Sequence, residues 1–164
     1  MTLLDPDLAY TLFDPEAAPR VGAARWQALA ARHLGAALTV YGAPPVDPDG
    51  PLGLSVRVEA LRGGGGFGEV RVVGGRASEA RALVAHGEAC AKAIGGAGMD
   101  ALVARTKRVW QVECALTAGT LRAAALIVAA TLCLDLLGPV APPAERCLVG
   151  IKGLRVRLEA AGWS

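Results

Sequence analysis

Twelve consecutive uncharged residues between Arg122 and Asp135 constrain the fold more than any other part of the chain. The run reads AAALIVAATLCL, and a helix of this sequence has no charged face to turn toward water. It is too short to cross a bilayer, which takes about 20 apolar residues. We therefore predict a central helix over residues 118–137 that is either buried in a compact core or covered in part by another subunit.

The composition fits one domain with a large core. The chain has 164 residues, of which 53% are hydrophobic and only 4% aromatic, so the core consists largely of small side chains that allow close packing. The formal net charge is +2, with 17 basic and 15 acidic residues spread along the chain. This balance provides no basic surface for nucleic acid and no polybasic patch for a membrane. A hydrophobic chain with little net charge favours self-association.

The first residues and the cysteines indicate a compartment. The sequence starts MTLLD, without the charged and apolar regions of a secretory signal. Four cysteines stand at positions 90, 114, 133 and 147, without the close pairs of a zinc site or the density of a disulfide framework. We therefore expect free thiols, no metal, no cofactor and a cytoplasmic location. The high content of Ala, Gly, Arg and Pro is typical of a GC-rich bacterial genome.

Periodic patterns predict an α+β fold, with a single domain whose mixed β-sheet of about four to six strands is packed by amphipathic helices. Helical spacing occurs at residues 21–34, 78–94 and 100–107. Strands are predicted at residues 38–41, 54–61, 70–73, 109–114, 147–151 and 154–158. Residues 1–20 should form an N-terminal arm with short helical turns after Asp5 and Asp14, and residues 21–164 the α+β domain.

A glycine-rich segment joins the second and third predicted strands. Residues 63–70 read GGGGFGEV, which matches the glycine spacing of the protein-kinase phosphate loop. The kinase lysine strand and catalytic motifs are absent, and so is the lysine of a P-loop. We expect a flexible hairpin or flap. The alternative is a ligand loop, with Arg62, Gly64, Gly65 and Phe67 as candidate contacts.

His86 and Cys90 form the one pair in the sequence that suggests catalysis. They stand four residues apart in the clearest amphipathic helix, so their side chains are neighbours. A histidine beside a cysteine can lower the thiol pKa and create a nucleophile, but Cys90 is mid-helix and no helix N-terminus points at it. We favour the interpretation that Cys90 is a buried cysteine, packing as a small hydrophobe beside a boundary histidine.

The charges that bound the uncharged run also need an explanation. Arg122 and Asp135 lie roughly 20 Å apart along a helix, so each requires water or a partner from elsewhere. Ordinary helix ends would explain both, and so would a binding cleft, in which Arg122 is a candidate ligand contact. The sequence has no asparagine, only three serines, and no serine-hydrolase or zinc-protease motif. This inventory favours a role without catalysis.

Residues 118–137, followed by GIKGLRVR at 150–157, resemble the central helix and next strand of hot-dog-fold dehydratases and thioesterases. The match covers less than a quarter of the chain, and the usual catalytic histidine is absent, so no family is assigned on it. We expect a non-catalytic binding or assembly subunit that self-associates or joins a protein complex. The alternative is a small-molecule-binding protein or small enzyme, with its pocket near the glycine-rich loop, the His86/Cys90 helix and Arg122.

Overall fold

The fold is a six-stranded sheet with helices on both faces. The computed structural model describes residues 3–16, 21–42, 52–61, 67–114 and 123–163. Its strands are β1 (Ala9–Asp14), β2 (Ala36–Tyr41), β3 (Leu52–Ala60), β4 (Phe67–Arg76), β5 (Arg108–Glu113) and β6 (Val140–Ala141). Its helices are α1 (Ala23–Leu34), α2 (Arg81–Ala93), α3 (Met99–Ala104), α4 (Ala124–Leu136) and α5 (Ile151–Ala160), with 3-10 turns at Pro6–Leu8 and Ala77–Glu79. The predicted α+β class is confirmed.

The strands lie in the order β2-β3-β4-β5-β1-β6, and every neighbouring pair is antiparallel. The late strand–helix–strand order in the sequence predicts parallel crossovers and therefore a mixed sheet. The sheet is antiparallel instead. β5 and β6, on either side of α4 in the chain, run in the same direction, but β1 lies between them and pairs antiparallel with both. The predicted hairpin is present as β3 and β4, with Val56 opposite Val70.

Helix α4 lies at the centre of the larger core. Eleven of its 13 residues are buried, because α1, α5 and the sheet pack around it. Thr131, its one polar buried residue, donates its hydroxyl to the Ile127 carbonyl at 2.8 Å. The uncharged run is therefore covered by its own chain, which is the first of the two alternatives that the sequence allowed. Among the described residues, no helix is long and apolar enough to span a membrane.

A smaller core fills the other face of the sheet, beneath α2 and α3. Phe13 of β1 and Val109 of β5 pack there with Leu83 of α2. The Phe13 ring lies against Gly87, where an added Cβ atom would come within 2.5 Å of the ring. On the same face, β2 and β3 are not covered by these helices and carry exposed side chains.

The end of the chain differs from the prediction. The alternation at residues 154–158 predicts a strand, but these residues belong to α5. Leu154 and Leu158 stand four apart and are both buried in the core around α4, so the same letters also fit one face of a helix. Within residues 147–151, Val149 forms an isolated bridge to Val140 rather than a strand. The hot-dog resemblance loses its second half, because the chain is helical after Gly150.

The N-terminal residues take part in the sheet. One predicted helical turn is present at Pro6–Leu8, where the Asp5 carboxylate accepts the Asp7 N–H at 2.8 Å. The second turn, predicted after Asp14, falls mostly on residues 17–20, which lie outside the described residues, while the Asp14 carboxylate accepts the Glu16 N–H at 2.9 Å. Before it, Ala9–Asp14 forms β1, so residues expected in an arm lie between two other strands. A strand is favoured there because Leu12 and Phe13 are both fully buried, one in each of the two cores.

Asp135, at the end of the uncharged run, is bound by α1. Its carboxylate accepts hydrogen bonds from the Trp26 indole N–H at 2.9 Å and from the Arg25 guanidinium. Trp26 packs edge-on against Trp110 of β5, with ring centroids 6.1 Å apart. These contacts connect α1, α4 and the sheet, so Asp135 has a structural partner. Arg122 lies outside the described residues.

Candidate functional site

The sheet ends at β2, and within the described ranges no strand pairs with the outer edge of β2. On its inner side, the Leu61 N–H donates to the Gly35 carbonyl at 3.0 Å, a bond that flanks the opposed residues Ala36 and Ala60 and makes them a non-hydrogen-bonded pair of the β2–β3 ladder. Such pairs alternate along antiparallel strands. The N–H and C=O groups of Ala36, Leu38 and Val40 consequently point away from β3, toward the open edge.

Strand β2 lacks the features that usually block an edge. Its six residues, AALTVY, include no charge and no proline, and they pair with β3 in continuous register. Natural edge strands are commonly blocked by lysine, proline or a bulge, because exposed backbone groups otherwise template another strand. At the end of β2 the Tyr41 side chain is 48% exposed. The sequence of β2 therefore leaves its edge free to add a strand.

Helix α1 lies over β2 and exposes several small side chains to solvent. The helix packs against β2 and α4 and buries Trp26 and Leu34. On its solvent side, Ala24, Ala28 and Ala31 are exposed at helical spacing. Because the distance between packed helices depends on the side chains at the contact, these alanines would let a neighbouring element approach closely.

An open groove of about 750 Å³ lies where α1 and α5 end. Trp163 lines it and donates its indole N–H to the Leu34 carbonyl at 2.6 Å, which satisfies a carbonyl at the end of α1. Arg32 and His33 stand in the last turn of α1, where the Arg32 charge offsets the negative end of the helix dipole, and Arg155 adds another cationic side chain. Sequence reasoning missed this groove, since Trp163 and Leu34 are 129 positions apart.

The structure brings His86 and Cys90 together, as their spacing predicts. The Cys90 sulfur lies 3.5 Å from His86 Nε2 and 4.0 Å from the Glu145 backbone oxygen. Burial and then the Cys147 thiol raise the pKa of the Cys90 thiol, against smaller opposing effects of the Arg146 guanidinium and the Cys147 backbone. The contact is present, but the thiolate that a nucleophile requires is disfavoured near pH 7.

A second group of titratable side chains lies beside the first. Arg157 Nη2 is 2.9 Å from Glu145 Oε1 and 3.7 Å from the Cys147 sulfur. Burial and the Glu145 carboxylate raise the pKa of Cys147, while Arg157 lowers it, with a net rise. Burial also raises the pKa of Tyr10 to about 12 and that of Cys114 to about 11. The pKa shifts of these thiols and of the phenol are all upward, which disfavours the ionised form that a nucleophile requires.

The predicted ligand loop falls largely outside the described residues. Arg62, Gly64, Gly65 and Arg122 are not among them, and of Phe67 only the backbone at the start of β4 is described. Neither His86 nor Cys90 lines the groove at the end of α1. A pocket that joins their helix to the glycine-rich loop stays a prediction.

In the part of the chain that the structure describes, no three His, Cys, Asp or Glu side chains come together in a way that could hold a metal ion. Comparisons of the chain with protein-family models, curated proteins and solved structures found no match. The function is therefore inferred from the geometry of the β2 edge, the groove and the thiols.

Proposed function

We propose that the protein is a non-catalytic assembly subunit that self-associates by extending its sheet at the open edge of β2. The observation that carries this proposal is an uncharged strand whose backbone groups at three alternate residues point toward that edge. Each hydrogen-bonded pair across such an edge forms two backbone hydrogen bonds, which contribute about 1 kcal/mol each. Strand addition is a recurring mode of recognition in which main-chain bonds provide affinity.

The overall charge and the cysteines fit this role. With a formal net charge of only +2, two copies of the chain repel each other weakly. All four cysteines are free thiols, which suits a reducing compartment, and on that ground we propose a cytoplasmic location.

The uncharged run in α4 is no longer an argument for a partner. Its own chain buries this helix, so a surface for assembly has to lie elsewhere. The open edge of β2 offers such a surface, and α1, which packs on β2, carries exposed alanines.

Val40→Pro tests the proposal. The Val40 N–H points toward the open edge, so proline removes a donor that only a partner strand uses, while the β2–β3 ladder loses no hydrogen bond. A pair of copies would lose two donors at about 1 kcal/mol each, so the dissociation constant should rise at least about tenfold. Sedimentation velocity over a concentration series measures this change.

Val40→Ala is the matched control, because it trims the same side chain and keeps the N–H. This variant should associate like the wild type, and circular dichroism should show that both variants are folded. Two results would contradict the proposal. One is a wild-type chain that stays monomeric at the highest concentration, and the other is a Val40→Pro variant that associates as well as Val40→Ala.

A small-molecule-binding protein or small enzyme is the second candidate, and the 3.5 Å contact between Cys90 and His86 favours it. Thiol labelling separates the two candidates. Because burial raises the pKa of Cys90, iodoacetamide at pH 7 should label it more slowly than the half-buried Cys147 beside Arg157. The labelling rate of Cys90 should rise with pH as its thiolate fraction grows, and it should not level off until the pH is above the usual thiol value of 9.0.

Mass spectrometry of the labelled peptides gives the rate for each cysteine. The same chain unfolded in urea is the reference, since all its thiols are then exposed. If Cys90 reacts faster at pH 7 in the folded chain than in the unfolded chain, the fold activates the thiol, which supports the enzyme function over assembly.

A further inference from the structure

We infer that the partner of β2 is β2 of a second copy, paired antiparallel about a two-fold axis at Leu38. This inference rests on the proposed function and adds the partner strand and its register. Most homo-oligomers are closed by a two-fold axis, which brings the same surface of both copies together. A two-fold axis perpendicular to the sheet pairs an edge strand with itself in the antiparallel sense.

The backbone restricts the register of this pair. Only Ala36, Leu38 and Val40 direct N–H and C=O groups toward the edge, so these residues have to face one another across the axis. An axis at Leu38 places Leu38 opposite its own copy and Ala36 opposite Val40, so all three residues form hydrogen bonds. An axis at Ala37 or Thr39 leaves one of the three without a strand residue opposite it.

The side chains are compatible with the same register. On the outer face, Ala37 comes opposite Thr39 of the second copy in a non-hydrogen-bonded pair, in which side chains approach most closely. Tyr41 extends past the start of the second copy's β2, toward Gly35 at the end of α1. A Cβ atom built on Gly35 would meet nothing within 4 Å, so the exposed ring of Tyr41 has room there. On the core face Leu38 meets its own copy, and no like charges face each other along the strand.

Cysteine substitutions on the outer face test this register. In the inferred pair, the Cα atoms of residue 37 and residue 39 of the second copy lie about 4.5 Å apart, which a disulfide can bridge. Residue 37 of one copy lies diagonally from residue 37 of the other, and the same holds for residue 39. These Cα atoms are roughly 7–8 Å apart, which a disulfide does not bridge without backbone movement. With the thiol oxidant diamide, Ala37→Cys/Thr39→Cys should form a covalent dimer, whereas Ala37→Cys and Thr39→Cys alone should stay at the mass of one chain.

The readout is mass on a non-reducing gel, and the wild type treated with diamide is the control for the native cysteines. Cross-linking by one of the single variants would place the axis at that residue, which overturns the inferred register and leaves assembly at β2 in place. If the wild type dimerises but none of the three cysteine variants cross-links, the dimer uses another surface. That result overturns both the inferred register and the role of the β2 edge. A wild-type chain that is monomeric in sedimentation overturns self-association itself.

Discussion

Gly138→Ala should lower the free energy of unfolding by about 3 kcal/mol, at the upper end of the range for overpacked sites. A Cβ atom at this position would lie 2.2 Å from the Phe13 backbone oxygen and 3.0 Å from the Phe13 carbonyl carbon. A backbone group cannot rotate away as a side chain can, so β1 or the turn after α4 would have to shift. The two are already joined, since the Phe13 N–H donates to the Pro139 carbonyl at 3.1 Å. Urea denaturation followed by circular dichroism measures the loss.

Gly150→Ala is the control for this experiment. A Cβ atom there would meet nothing within 4 Å, and the backbone φ of −101° suits any residue. Its free energy of unfolding should stay within about 0.5 kcal/mol of the wild-type value. Equal urea midpoints for Gly138→Ala and Gly150→Ala would mean that the turn after α4 does not approach β1 as closely in solution.

Leu132→Ala should lower the free energy of unfolding by about 2–5 kcal/mol and leave self-association unchanged. Leu132 is fully buried in α4, within a core that one chain supplies. Removal of its side chain leaves a cavity that the surrounding residues fill only in part. Since this core contains no residue of a second copy, the dissociation constant should equal the wild-type value at temperatures where the variant is folded.

Leu137→Ala removes the same atoms from a side chain that is 78% exposed, and it should unfold like the wild type. Thermal denaturation and sedimentation velocity of the two variants give stability and association separately. A Leu132→Ala variant that melts near the wild-type temperature but dissociates as readily as Val40→Pro would show that a partner, rather than the chain itself, covers α4.

The elements with a clear local period were predictable from the sequence. In β3, Val56 and Val58 alternate with polar residues because one face of the strand meets the core and the other meets water. In α2, Leu83, Gly87 and Cys90 recur at helical spacing for the same reason. Each of these elements has one buried side, so its pattern has one interpretation.

β1 and α5 were not predictable, for different reasons. β1 is buried on both faces, so it has no alternation that marks it as a strand. α5 has Leu154, Val156 and Leu158 in alternation, which predicts a strand, yet Val156 is 58% exposed and only the two leucines belong to the core. In both cases the outcome depends on neighbours that are distant in the sequence.

The candidate sites also include one feature that the local sequence predicts and others that depend on distant parts of the chain. The contact of His86 with Cys90 follows from their spacing in a helix, which is local. The loop that packs over Cys90 contributes Glu145, 55 positions away, so no local pattern predicts how deeply the thiol is buried. The open edge is likewise a property of strand order, since a strand such as β2 has the same alternation at the edge of a sheet as in its middle.

The position of β1 has a consequence for synthesis of the chain. Asp14 pairs with Arg108 and Leu12 with Val140, so β1 leaves the ribosome long before its partners exist. At typical rates of translation this interval is on the order of ten seconds. The β2–β3–β4 meander pairs neighbours in the sequence and can form during that interval. Neighbouring nascent chains on one messenger RNA would therefore meet with an open β2 edge while half of each sheet is missing, so premature pairing is the aggregation risk of this topology.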